Sequence, residues 1–139
     1  MKVLIVDDND NKINEIIKVF NKKNWEIDIS TGSADAMEKL RKTEYDLLIL
    51  DLIIPKVFGA DTANLNNSID LLERIKRGKK LIEPKNKVAL TADINALKQG
   101  NPTFSSAFIE IIKYDLSSRE WRDNLFSKIE MIEKSAPKY

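Results

Sequence analysis

The chain has no cysteine and no histidine among its 139 residues. Without cysteine there is no disulfide, no thiolate nucleophile and no zinc site built on sulfur. Without histidine there is no imidazole base, no imidazole metal ligand and no phosphohistidine carried by the chain itself. Glycine and proline are scarce, four of each, and aromatics reach only 7%, an ordinary globular composition with no low-complexity tract. An excess of either charge is missing too: 23 basic against 22 acidic residues leave a net +1, so no global field favours nucleic acid or a membrane surface. The basic cluster Lys76-Arg77-Gly78-Lys79-Lys80, with Lys85 and Lys87 beyond it, has no interleaved aromatics. It reads as a solvated helix end whose cations complement the dipole. No apolar run approaches the ~18 residues of a spanning helix, and the first residues do not resemble a signal peptide. A cytoplasmic location is expected, with neither nucleic acid nor membrane as a direct partner.

What is present is sharper. Lys2-Val3-Leu4-Ile5-Val6 and Asp46-Leu47-Leu48-Ile49-Leu50 read as buried strands, and each runs directly into acid: Asp7 and Asp8 after the first, Asp51 after the second. Between and after them strand-like and helix-like patterns alternate. Ile13, Ile16, Ile17 and Phe20 recur at helical spacing, and Trp25 to Ile29 alternates as an edge strand. Ser33 is a candidate N-cap for a short helix with Ala36, Met37 and Leu40. Residues 55–67 read as a loop, and Ser68 opens a helix that stops near Gly78. Lys87 to Leu90 is a short strand leading to Thr91, and a weak helix extends to about Gln99. Ala107 to Ile112 is a last strand ending at Lys113. Ser117 and Glu120 suggest a capping box for a final helix with Trp121, Leu125, Ile129 and Ile132 inward. Five strands alternating with five helices predict an α/β fold in three layers, a doubly wound parallel sheet with helices on both faces. The length fits a single domain, 1–139.

In open α/β sheets, ligands bind outside the carboxyl ends of the strands. Asp7, Asp8, Asp51, Thr91 and Lys113 all fall at that edge. Any one acid there could cap a helix, but the whole set is a poor match for chance. Crowded carboxylates repel unless a cation neutralises them. Mg²⁺ takes oxygen ligands and binds through one or two carboxylates plus phosphate. A carboxylate can also attack phosphorus and become an acyl phosphate, with a hydroxyl and an ammonium steadying the equatorial oxygens.

In this order of motifs the chain resembles the receiver domain of two-component response regulators, along its entire length. The matching residues are Val3-Leu4-Ile5-Val6-Asp7-Asp8, then Asp51-Leu52-Ile53-Ile54-Pro55 with Gly59, then Thr91-Ala92, and finally Lys113. The resemblance is to stand-alone, chemotaxis-type receivers and implies their flavodoxin-like fold, five parallel strands in the order 2-1-3-4-5. It implies that Asp51 is phosphorylated from a phosphohistidine on a sensor histidine kinase or phosphotransfer protein. Asp8 and Asp51 would ligate Mg²⁺ (or Mn²⁺) directly, Asp7 through water, and Ile53 through its backbone carbonyl. Thr91 and Lys113 would hold the phosphoryl oxygens and pass the signal to the surface made by the fourth helix, fifth strand and fifth helix, where a downstream protein binds. No enzymatic activity is implied beyond self-phosphorylation from phosphodonors and autodephosphorylation. Relatives dimerise through the last helix, and Trp121 and Ile129 fit either such a homodimer or the core.

Departures from the family pattern mark the places where this chain differs. Glu110 stands where an aromatic residue is usual, and Tyr114 where proline is usual. Residues 60–67 look like an insertion beside Asp51. Ile53, apolar where many relatives are polar, is expected to slow hydrolysis by restricting water, while Asp93 could oppose it by orienting water. Two other classes remain open on these residues. One is a phosphorylation-independent adaptor keeping only the fold. The other is a Mg²⁺-dependent phosphohydrolase with an aspartate nucleophile, whose usual second aspartate is Ile53 here.

Overall fold

The computed structural model describes residues 1–78, 80–93 and 106–136. Strands β1 (Lys2–Val6), β2 (Glu26–Ser30), β3 (Leu47–Leu50), β4 (Lys87–Thr91) and β5 (Glu110–Lys113) form one parallel sheet in the order β2-β1-β3-β4-β5. Four helices are described: α1 (Asp10–Val19), α2 (Ser33–Lys42), α3 (Leu65–Arg77) and α4 (Glu120–Ser135). The weak helix expected after Thr91 falls largely on 94–105, outside the described residues. The uniformly apolar runs become central strands covered on both faces, as parallel sheets require. Leu4, Val6, Leu48, Leu50 and Ala89 pack under α2 and α3 through Ala36, Leu40, Leu71, Leu72 and Ile75. Val3, Ile5, Leu47, Ile49, Val88 and Leu90 pack under α1 and α4 through Ile13, Ile16, Phe20, Trp121, Leu125, Ile129 and Ile132. The alternating strand β2 does lie at the sheet edge.

Trp121 and Ile129 are core residues, 4% and 0% exposed. Other details differ from the sequence reading. Helix α3 begins at Leu65 rather than Ser68, because the Asn64 side chain caps it by accepting from the Asn67 N–H. Only 60–64 of the suspected insertion is therefore loop. It is tied down by an antiparallel bridge from Ile54 to Asn64 and by Asp61, which accepts from the Lys56 and Val57 N–H groups. The capping box at Ser117 and Glu120 does not form. Asp115 captures both the N–H and the hydroxyl of Ser117, a local turn that competes with the helix start. Strand β5 begins at Glu110, not Ala107. Phe108 packs in the α2–α3 layer, whereas Glu110 pairs with Lys128 of α4.

Helix α2 has no side-chain cap; Gly32, not Ser33, is its N-cap. The Ser33 and Ala34 N–H groups donate instead to the carbonyls of Pro55 and Lys56, each at 3.0 Å. A Cβ at Gly32 would sit 2.6 Å from the Lys56 carbonyl oxygen. The absence of a side chain there lets the loop after Asp51 close onto the helix end and satisfy its orphan donors.

Candidate functional site

Register brings the acids together. In the β1–β3 pair Val6 faces Leu50, so the next residues, Asp7 and Asp51, leave the sheet side by side. The Asp51 N–H donates to the Val6 carbonyl at 3.0 Å and the Asp7 N–H to Ser30 at 3.0 Å. Asp7 is 1% exposed, and Asp8 and Asp51 are half-buried. One carboxylate oxygen from each of the three lies within 4.8 Å of the others. Three oxygen donors so placed fit a hard divalent cation.

Lys12 completes the pocket, and the sequence reading missed it. Its ammonium lies 2.7 Å from Asp7 Oδ2, 3.4 Å from Asp51 Oδ2 and 2.6 Å from the Leu90 carbonyl. The residue is 3% exposed. The signal was present: Lys12, Ile16 and Phe20 stand at i, i+4 and i+8, so helical periodicity places a lysine on the buried stripe. Lys12 is the third residue of α1, behind the Asn9 cap that accepts from its N–H. Helical Cα–Cβ bonds tilt toward the N-terminus, which sends this long side chain back over the helix start to the carboxylates. A cation at that end opposes the helix dipole at a cost of about 0.3–1 kcal/mol, so the carboxylates hold it there.

Burial pushes the Asp7 carboxyl up to about 6; Lys12 pulls it down and the Asp51 charge raises it further. A folded-state value above the unfolded one gives stability that is complete below the unfolded value of 3.8 and lost as pH rises through 6. The chain has no histidine to titrate in the same window. Urea unfolding of metal-free protein should show a loss of about 1 kcal/mol between roughly pH 5 and pH 7.5. Asp7→Asn should flatten that profile. An equally steep profile in the variant would assign the effect elsewhere.

The other predicted residues divide. Thr91 ends β4, buried, with its Oγ1 accepting from the Asp93 N–H at 3.2 Å. Lys113 is its register partner on β5, but the side chain is exposed. Among the described residues no ion pair joins it to Asp7, Asp8 or Asp51. Ile53 is half-buried and its N–H donates to Asp51 Oδ1 at 3.3 Å. Asp93 is exposed. Tyr114 is buried: its ring centroid is 5.3 Å from the Lys12 ammonium and 4.9 Å from that of Trp121. Its N–H donates to the Thr91 carbonyl at 2.8 Å, and no described peptide bond is cis.

The sequence that builds this doubly wound sheet, with three carboxylates at its carboxyl edge, matches the response regulator receiver domain over residues 3–92. The chain belongs to that family. It is 30% identical over 135 residues to the protein y4jS of Sinorhizobium fredii, covering 95% of this chain and 32% of that protein. The chain thus spans about a third of the length of that curated relative. Among solved structures, the response regulator TrrA of Thermotoga maritima, in complex with Mg²⁺-BeF, is 22% identical. It aligns over 94% of this chain and 97% of its own, with a TM-score of 0.69. The receiver domain of the Pseudomonas aeruginosa sensor histidine kinase PA1611 has a magnesium ion coordinated in its active site cleft. It is 15% identical over 96% of this chain and 98% of its own, with a TM-score of 0.72.

Proposed function

We propose that the chain is a phosphoryl-accepting signalling switch in which Asp51 is the acceptor. The observation that carries this reading is the clustering of Asp7, Asp8 and Asp51 beside the buried Thr91 at one sheet edge. An Asp51 carboxylate oxygen attacks the phosphorus of a phosphohistidine on a sensor kinase or phosphotransfer protein. The O–P bond forms as the N–P bond breaks, and the electron pair stays on the imidazole nitrogen. Asp8 and Asp51, with Asp7 behind them and the Ile53 carbonyl as a further oxygen, would hold Mg²⁺ or Mn²⁺. When bound, the ion neutralises charge between the carboxylates and the incoming phosphoryl group. Thr91 retains a hydroxyl proton to donate to a phosphoryl oxygen. Lys113, exposed at the end of β5, would have to turn inward to reach one. Water attack on the acyl phosphate returns the carboxylate and inorganic phosphate, with Ile53 and Asp93 setting the access of that water. The donor would approach a groove of about 690 Å³ beside the site, lined by Asn14, Glu15, Leu116, Arg122 and others. Its Leu116 is 87% exposed, a surface suited to a protein contact. A downstream protein would then read the changed surface around β5 and α4.

A second reading, the phosphorylation-independent adaptor, is favoured by one observation: a lysine other than Lys113 already occupies the pocket. The readings separate on incubation with acetyl phosphate and Mg²⁺, followed by intact mass spectrometry. Incorporation of one phosphoryl group, lost slowly on standing, supports the switch. No incorporation at any donor concentration leaves the adaptor. Multiple turnover of added phosphomonoesters would instead mark a phosphohydrolase.

A further inference from the structure

Lys12 combines features that a purely structural lysine does not need together. It is buried at a helix start where the dipole disfavours cations. It contacts two of the three carboxylates that a divalent ion would require, at 2.7 and 3.4 Å. Its ammonium also lies over the Tyr114 ring, which leans on Trp121 at the first turn of α4. Tyr114 in turn hydrogen-bonds through its N–H to Thr91. The pocket and the last helix are therefore joined through one flexible, charged side chain.

We propose that Lys12 is a tethered counter-ion of the acidic pocket, which competes with a divalent cation for the Asp7 and Asp51 oxygens and whose withdrawal is registered by Tyr114 and Trp121. The inference rests on the reading that the pocket takes such a cation. The physical basis is short. Mg²⁺ needs oxygen ligands at about 2.0–2.1 Å in octahedral geometry. An ammonium hydrogen-bonded to the same oxygens presents like charge at contact distance, so the two cannot share them without repulsion. Release of Lys12 frees both carboxylates and removes the cation from the tyrosine face in the same event. Lys12 is thus a positioning residue, setting cation affinity and coupling the site to α4, and its part is independent of Lys113.

The test titrates Mg²⁺ into wild type, Lys12→Met and Lys12→Arg, following affinity by calorimetry and the Trp121 indole resonance by NMR. Lys12→Met should bind Mg²⁺ at least about tenfold more tightly than wild type, because the competing charge is gone. Its ion-free Trp121 resonance should already lie near the Mg²⁺-loaded position of wild type. Lys12→Arg, which keeps a competing cation, should retain weak binding. A readout on wild type alone guards against a misfolded variant. The Lys12 ammonium protons, protected in the buried pair, should become exchange-broadened as Mg²⁺ saturates. Wild type that binds Mg²⁺ with those protons unchanged, or a folded Lys12→Met with no gain in affinity, overturns the inference and leaves the cation site standing. No saturable Mg²⁺ response in any of the three proteins overturns both.

Discussion

An Asp51→Asn protein takes up no phosphoryl group from acetyl phosphate and Mg²⁺ under conditions that label wild type. The amide keeps the volume of the carboxylate but has neither its charge nor its nucleophilic oxygen, so the acyl phosphate cannot form. The loss should be complete, since none of the neighbouring acids can take over. Asp7 is buried with both oxygens engaged, by Lys12 and by the Asn9 N–H. Asp8 is required as an ion ligand in the same reading. The fold should persist. Lys12 keeps its contacts to Asp7 at 2.7 Å and to the Leu90 carbonyl at 2.6 Å. Removing the Asp51 charge also relieves repulsion on Asp7. Unfolding free energy should therefore stay within about 1 kcal/mol of wild type. Intact mass and urea unfolding on the same samples check both halves. Undiminished labelling of the variant would move the acceptor away from Asp51.

The sheet was readable because its central strands are apolar without interruption, and only a parallel sheet covered on both faces calls for that. The three acids were readable for the same reason: a charged residue directly after such a strand must leave through the carboxyl edge. The helix starts were read less well, because side chains compete locally for the same N–H groups. Asn64 captured α3 three residues early, Asp115 diverted Ser117, and the Pro55 and Lys56 carbonyls capped α2 in place of Ser33. Lys12 was overlooked because a lysine is taken for solvent by default. Its place in the row with Ile16 and Phe20 contradicted that default. Tyr114 could not be placed from sequence. The usual proline leaves no space-filling side chain to compare, and what Tyr114 covers depends on Lys12, brought near from more than a hundred positions earlier.

Tyr114→Ala is expected to destabilise the protein by about 3 kcal/mol or more, in the range of buried aromatic truncations. Tyr114 is 9% exposed and sits in the α1–α4 layer against Trp121. Truncation would open a cavity next to a buried ammonium and admit water to Lys12, loosening its grip on Asp7 as well. Tyr114→Phe should remain within about 0.5 kcal/mol of wild type, since it is the ring that contacts Lys12 and Trp121. Urea unfolding of the two variants separates packing from polar effects, and a Tyr114→Ala loss below about 1 kcal/mol would show that the ring does not seal this layer. Combining Tyr114→Ala with Lys12→Met closes a double-mutant cycle. Residues in contact couple by about 0.5–3 kcal/mol, whereas independent ones add. A charge over an aromatic face accounts for about 0.5–2 kcal/mol of that when desolvated. Additivity would mean that the tyrosine and the lysine merely adjoin. Coupling would show that the Tyr114 ring senses the charge on Lys12.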